Sequence, residues 1–139
     1  PMAKTLAEKF FIKPNQRILA VQAPMEYLSE ILTDLPEGAI STEERHGTFD
    51  QIHYFVTSEA TLTSELPLVK TALTADGIIW VCYPKGINKA KIPTDLNRDK
   101  LALLLTKFGL EPIHQMAIDE TWSALRFKRT PLGQTRFVE

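Results

Sequence analysis

The sequence predicts an open, mostly parallel, Rossmann-like α/β sheet that ends in an antiparallel hairpin at one edge. Three observations predict it. Short apolar segments bounded by turn residues alternate with segments of helical periodicity, which means parallel strands joined by right-handed crossovers. The most apolar segment, Ile78-Ile79-Trp80-Val81-Cys82-Tyr83, reads as a central strand covered on both faces. The last two strand-like segments, 112–118 and 122–128, are joined only by Asp119-Glu120-Thr121. A link that short permits only an antiparallel return, because a parallel one needs about a dozen residues. The expected strand order, counted along the chain, is 2-1-3-4-6-5, with only the last strand antiparallel.

Each element has its own signal. Leu6, Phe10 and Phe11 mark a short amphipathic helix that ends before Lys13-Pro14. Residues 17–22, Arg-Ile-Leu-Ala-Val-Gln, form the first strand. Pro24 suits the first turn of a helix, where its missing N–H costs nothing. Tyr27, Leu28, Ile31, Leu32 and Leu35 then share one face, and Pro36-Glu37-Gly38 stops the helix. Residues 39–42 read as either a short second strand or a vestigial one, and 51–57, opened by Phe49-Asp50, as a third. Ser58 caps a helix with Leu62, Leu66, Val69 and Leu73 on one face, which Pro67 should kink or restart. Asp76-Gly77 reads as a turn before the central strand. Residues 84–98 read as a long basic loop. Asn97 then caps a helix carrying Leu101, Leu104, Leu105 and Phe108, and Gly109 ends it.

A chain of 139 residues holds one domain, expected as an N-terminal helix over 1–13, a core over 14–129 and a tail over 130–139 without periodicity. Apolar residues at 44% fill one core. A formal net charge of -1 gives the molecule no reason to seek nucleic acid or acidic lipid. One cysteine, Cys82, allows no intrachain disulfide. No apolar run reaches the length of a membrane span, and the start, Pro1-Met2-Ala3-Lys4, lacks the apolar stretch of a signal peptide. A cytoplasmic protein, monomeric or homodimeric, is expected; Pro1 is either native or an addition.

Two resemblances follow from particular strings. "TADGIIWVCYPK" and "LLLTKFGLEPIHQMAIDETWSALRFKR" resemble the Gly-turn with its strand, and the last helix with its two strands, of class I S-adenosylmethionine-dependent methyltransferases. The likeness spans residues 15–129 and implies a methyltransferase-like fold. "LAEKFFIKPNQRILAVQAP", "YPKG", "PTDL" and above all "DETWSALRFKR" resemble the bacterial family called domain of unknown function 3052. That resemblance implies a fold and no activity.

Two departures from the methyltransferase pattern bear on function. Such enzymes need glycines in the first β-to-α turn, where backbone approaches cofactor. Here the turn is Gln22-Ala23-Pro24-Met25-Glu26, and none of the six glycines lies in it. Only residues 43–48 separate the second strand from the third, a reach of about 20 Å when extended, too short for a helix and an extra strand. No bound cofactor is expected, and S-adenosylmethionine is the alternative.

Ligands of open α/β sheets sit outside the carboxyl ends of the strands. That rim gathers Gln22 and Ala23, Thr57 and Ser58, Tyr83 to Lys85, and the hairpin. Tyr83, Lys85, Asp95, Asp119, Glu120 and Trp122 are therefore the expected pocket, with Lys85 as an anion contact or carboxylate partner and Trp122 as an apolar wall. A purely structural Lys–carboxylate clamp over a packed Trp122 is the alternative. Lys85, Lys89, Lys91 and Arg98 make the 84–98 loop either a basic lid or a solvated loop. Glu43 and Glu44 stand about where a ribose-binding carboxylate would, about twenty residues beyond the first turn. His53 reads as a satisfied core histidine and Cys82 as a buried thiol. No His or Cys pair has metal-ligand spacing, so no metal is expected. Two functions remain: a binding or interaction module for a small anionic ligand or a protein partner, or a methyltransferase with an atypical cofactor turn.

Overall fold

A computed structural model describes residues 3–131. The strands are β1 (Arg17–Val21), β2 (Ile40–Thr42), β3 (Phe49–Phe55), β4 (Leu73–Pro84), β5 (Leu110–Ala117) and β6 (Trp122–Arg129). The helices are α1 (Leu6–Lys9), α2 (Met25–Ile31), α3 (Glu59–Lys70) and α4 (Arg98–Thr106). The sheet runs β2-β1-β3-β4-β6-β5. β6 is antiparallel to both its neighbours and the other pairings are parallel; the short link over residues 118–121 requires the antiparallel β5–β6 pair.

Strand alternation sorts the core into two layers. Ile18 and Ala20 of β1 face one side with Leu6, Phe10, Tyr27, Trp80 and Cys82, under α1 and α2. Leu19 and Val21 face the other with Ile79, Val81, Leu62, Leu66, Leu101 and Leu105, under α3 and α4. Each fully buried large apolar side chain contributes roughly 1.5–3 kcal/mol, so both helical layers are held mainly by these contacts. Local signals start the helices: Thr5 closes a capping box with Glu8, Ser58 accepts from the Thr61 amide, and Asn97 accepts from the Lys100 amide.

Four expectations change. Asp76-Gly77 is not a free turn but lies within β4, where Phe49 pairs with Leu73 and Gln51 with Ile78, so residues 74–77 bulge out of register. A Cβ on Gly77 would stand 2.5 Å from Leu73 Cδ1, so the glycine serves this close approach. The Arg129 guanidinium fastens the bulge by donating to the Leu73 carbonyl at 3.0 Å. Leu73 consequently begins β4 instead of closing the face of α3. Pro67 sits inside α3 without ending it; Pro67 and Thr63 are both exposed, so water can take the carbonyl that Pro67 cannot bond. α2 buries only Tyr27 and Ile31, and Leu32 is 61% exposed. At the β2 edge the sheet beneath is too narrow to cover a wider stripe. Pro1 and the tail from residue 132 lie outside the described residues.

The α1-side layer also holds a closed polar chain. His53 has no exposed surface. Its Nδ1 lies 2.6 Å from the Tyr27 hydroxyl and its Nε2 2.8 Å from Gln51 Oε1. Gln51 donates its amide N–H groups to the Phe10 carbonyl and Gln16. Its Oε1 must therefore accept from His53 Nε2–H, which leaves Nδ1 to accept from Tyr27. The imidazole stacks on Phe10 with ring centres 3.9 Å apart. Burial drives its pKa down to about 3, and burial likewise pushes the Tyr27 hydroxyl and the Cys82 thiol up. Neither His53 nor Cys82 meets solvent, which is the arrangement of core groups.

Candidate functional site

The carboxyl ends of the strands carry a cleft of roughly 940 Å³ between the first β-to-α turn, the segment after β4 and the β5–β6 hairpin. The hairpin is built by Asp119, whose Oδ1 accepts from the Thr121 and Trp122 amides, both at 2.8 Å. The Lys85 amide donates to the Thr121 carbonyl at 2.9 Å, which ties the end of β4 to the hairpin. Asn88 is buried and staples the following loop. Its Nδ2 donates to the Lys85 and Ile92 carbonyls, and its Oδ1 accepts from the Ile92 amide at 2.7 Å. The 85–92 segment is thus a shaped wall, with Ala90 and Ile92 lining the cleft. Trp122 forms an opposing apolar wall, its ring edge-on to Phe55 at 5.1 Å.

Four of the residues expected at this rim, Lys85, Asp119, Glu120 and Trp122, line this one cleft. The charges leave Lys85 outside the carboxylate pair that is one of its two expected roles. Glu120 pairs with Lys89 at 3.2 Å, with both side chains about three-quarters exposed, so the pair is worth about 0–1 kcal/mol. Asp119 is engaged by the turn. Among the described residues no carboxylate pairs with Lys85.

The others stand elsewhere. Tyr83 alternates with Cys82 and so faces the α3–α4 layer. Its hydroxyl is within 3.4 Å of Gln115 Nε2, and burial raises its pKa. Asp95 accepts from the Glu59 amide at 2.9 Å and so caps α3. Gln22 donates to Glu65 Oε2 at 2.6 Å, and Tyr54 donates to Glu65 Oε1 at 2.7 Å. Ala23 packs against the α1–α2 layer. Glu43 borders a separate hollow of roughly 240 Å³ beside Leu28 and Ile31. Pro24 and Glu26 of the first β-to-α turn also line the cleft, and so does Lys9, which had no sequence signal. Lys9 reaches it from α1, its Nζ donating to the Ile118 carbonyl at 2.8 Å, and nothing in the sequence places α1 against the hairpin.

Among the described residues no group of three His, Cys, Asp or Glu side chains could hold a metal ion. No described helix is long and apolar enough to cross a membrane.

No family model matches the chain, and no curated protein matches it. Solved structures do resemble it. A Sulfolobus solfataricus protein assigned to the type 11 methyltransferases superposes with a TM-score of 0.61 at 13% identity, covering 96% of this chain and 95% of that one. DhpI, in complex with S-adenosylhomocysteine (SAH), gives 0.59 at 10% identity over 90% and 83%. A ribosomal protein L11 methylase from Lactobacillus delbrueckii subsp. bulgaricus gives 0.54 at 15% identity over 89% and 74%. At such identities the likeness speaks for architecture, and with the sheet order above it establishes a methyltransferase-like Rossmann fold.

Proposed function

We propose that the protein is a small binding module whose cleft takes an anionic small molecule. One observation carries the reading: Lys85 is a cation without a counter-ion among the described residues, set in a cleft with an apolar Trp122 wall. Asp119 and Glu120 cannot neutralise it without giving up the turn or the Lys89 pair they already hold. A roomy concave site with few convergent polar groups is the usual form of a small-molecule site. The arrangement suits a ligand with a flat apolar body against Trp122 and an acid group at Lys85.

The first β-to-α turn supports this reading over ordinary use of S-adenosylmethionine. Gln22 holds the left-handed backbone, with φ of 57°, that a glycine would adopt more easily. Its side chain and that of Tyr54 fasten Glu65 across the ends of β1 and β3. Pro24 contributes no N–H where a cofactor would seek donors. These residues do not fit a close backbone approach by that cofactor. The second reading, a methyltransferase with an atypical turn, is favoured by the fold shared with methyltransferases and with DhpI, the latter in complex with SAH. Membership of the domain of unknown function 3052 family and a cytoplasmic location belong to the same proposal.

Native mass spectrometry of freshly purified protein, followed by calorimetry with the retained molecule, tests the reading. A bound acid whose affinity falls at least tenfold in Lys85→Ala, at unchanged melting temperature, is the expected result. Micromolar binding of S-adenosylmethionine, about -8 kcal/mol, would replace the first reading with the second.

A further inference from the structure

Arg126 is a cation that no acid of the described chain answers. It lies on β6, in register with Trp80 of β4 and His114 of β5. Its guanidinium carbon is 5.2 Å from the Phe11 ring centre and 5.8 Å from that of Trp80. The Phe11 ring meets His114 edge-on at 5.2 Å. The Nε–H of Arg126 is buried without an acceptor among the described residues, and so is the indole N–H of Trp80 beside it. Elsewhere the chain supplies acids readily: Glu111 to Lys128, Glu120 to Lys89, Glu59 to Lys100.

A cation drawn partly out of water and left unpaired is costly unless something completes it. The Phe11 and Trp80 rings flank the guanidinium carbon, and its Nη N–H groups form the planar fork that matches the two oxygens of a carboxylate. Phe11 is 41% exposed and leaves ring surface free beside that fork. It also holds a left-handed backbone, φ 53°. That conformation closes α1, with the Ile12 amide donating to the Ala7 carbonyl at 3.0 Å, and it fixes where the Phe11 ring leaves the helix.

We propose that Arg126, Phe11 and His114 form a second binding site, apart from the cleft, for a planar carboxylate whose acid group enters the guanidinium fork and whose flat body lies on Phe11. None of the three lines the cleft. The carboxylate belongs either to a free aryl acid or to an acidic peptide of a partner.

Benzoate titrated into the ¹⁵N-labelled protein is the test. The Arg126 Nε–H, the Trp80 indole N–H and the His114 amide should move together along one saturable curve, with Kd on the order of 1 mM. Arg126→Gln should abolish the curve, and Arg126→Lys, which keeps charge without the fork, should weaken it at least tenfold. A short peptide ending in Phe-Glu separates the sources: at least tenfold tighter binding than benzoate assigns the site to a partner's acid, and weaker binding assigns it to a small molecule. The proposal is overturned if wild-type protein gives no saturable shift, which would leave a purely structural cation–π staple. It is equally overturned if Arg126→Gln binds unchanged, or if inorganic phosphate moves the same signals as tightly as benzoate.

Discussion

Acidification should unfold this protein through His53. Burial lowers the folded-state pKa to about 3, against about 6.5 in an unfolded chain. The unfolded state therefore takes up the proton first as pH falls. The stabilisation is complete above about pH 6.5 and is lost progressively as pH falls toward 3. At pH 5 the imbalance comes to roughly 2 kcal/mol, and the full span to about 5 kcal/mol. Losses of that size are a large part of the stability of a single domain. Urea unfolding at pH 7.5 and pH 5.0, on wild type and on His53→Gln, isolates the term, because surface carboxylates are common to both proteins. Wild type should lose about 2 kcal/mol more than the variant between the two pH values. Imidazole proton resonances followed by NMR give a direct reading, with the His53 signal flat down to about pH 4. A His53 titrating near 6.5, or equal pH slopes in the two proteins, would refute the argument.

Other substitutions probe the elements that shape the cleft and the sheet. Gly77→Ala should cost about 1–3 kcal/mol in chemical denaturation, because its Cβ would enter the space of Leu73 Cδ1 at 2.5 Å. Asn88→Ala removes the staple of the 85–92 loop. It should lower stability by about 1–3 kcal/mol and weaken any cleft ligand at least tenfold, whereas a loop indifferent to binding would leave the affinity unchanged. Glu120→Gln should leave the melting temperature within about 2 °C of wild type, since its exposed pair with Lys89 contributes little; a larger drop would show that the pair clamps the hairpin.

Much of the architecture was legible because its determinants are local. The Asp119-Glu120-Thr121 link forces the antiparallel return, and Ser58 and Asn97 announce the starts of α3 and α4. Where local reading failed, a long-range contact had prevailed. Asp76-Gly77 has the chemistry of a turn, yet pairing with β3 and the Arg129 clamp draw it into β4. Lys85 and Trp122 were placed together because both stand at strand ends on one rim. Tyr83 stands at the same strand end, but strand alternation turns its side chain to the face opposite Cys82. The positions of Asp95 and Lys9 depend on how a loop and a short helix dock, and no spacing in the sequence encodes that docking.

The position of β6 has a consequence for biosynthesis. Among the described residues β5 meets the sheet only through β6, and β6 is the last of the six strands to leave the ribosome. Until it emerges, β4 has an open edge on one side, and β5, made earlier, has no strand to pair with. The final strand must then enter between two segments already synthesised and join both at once. Unpaired edges of this kind invite association between chains. Nascent chains stalled before Trp122 should therefore stay competent to aggregate, whereas release of the few residues through Arg129 closes the sheet in a single late step.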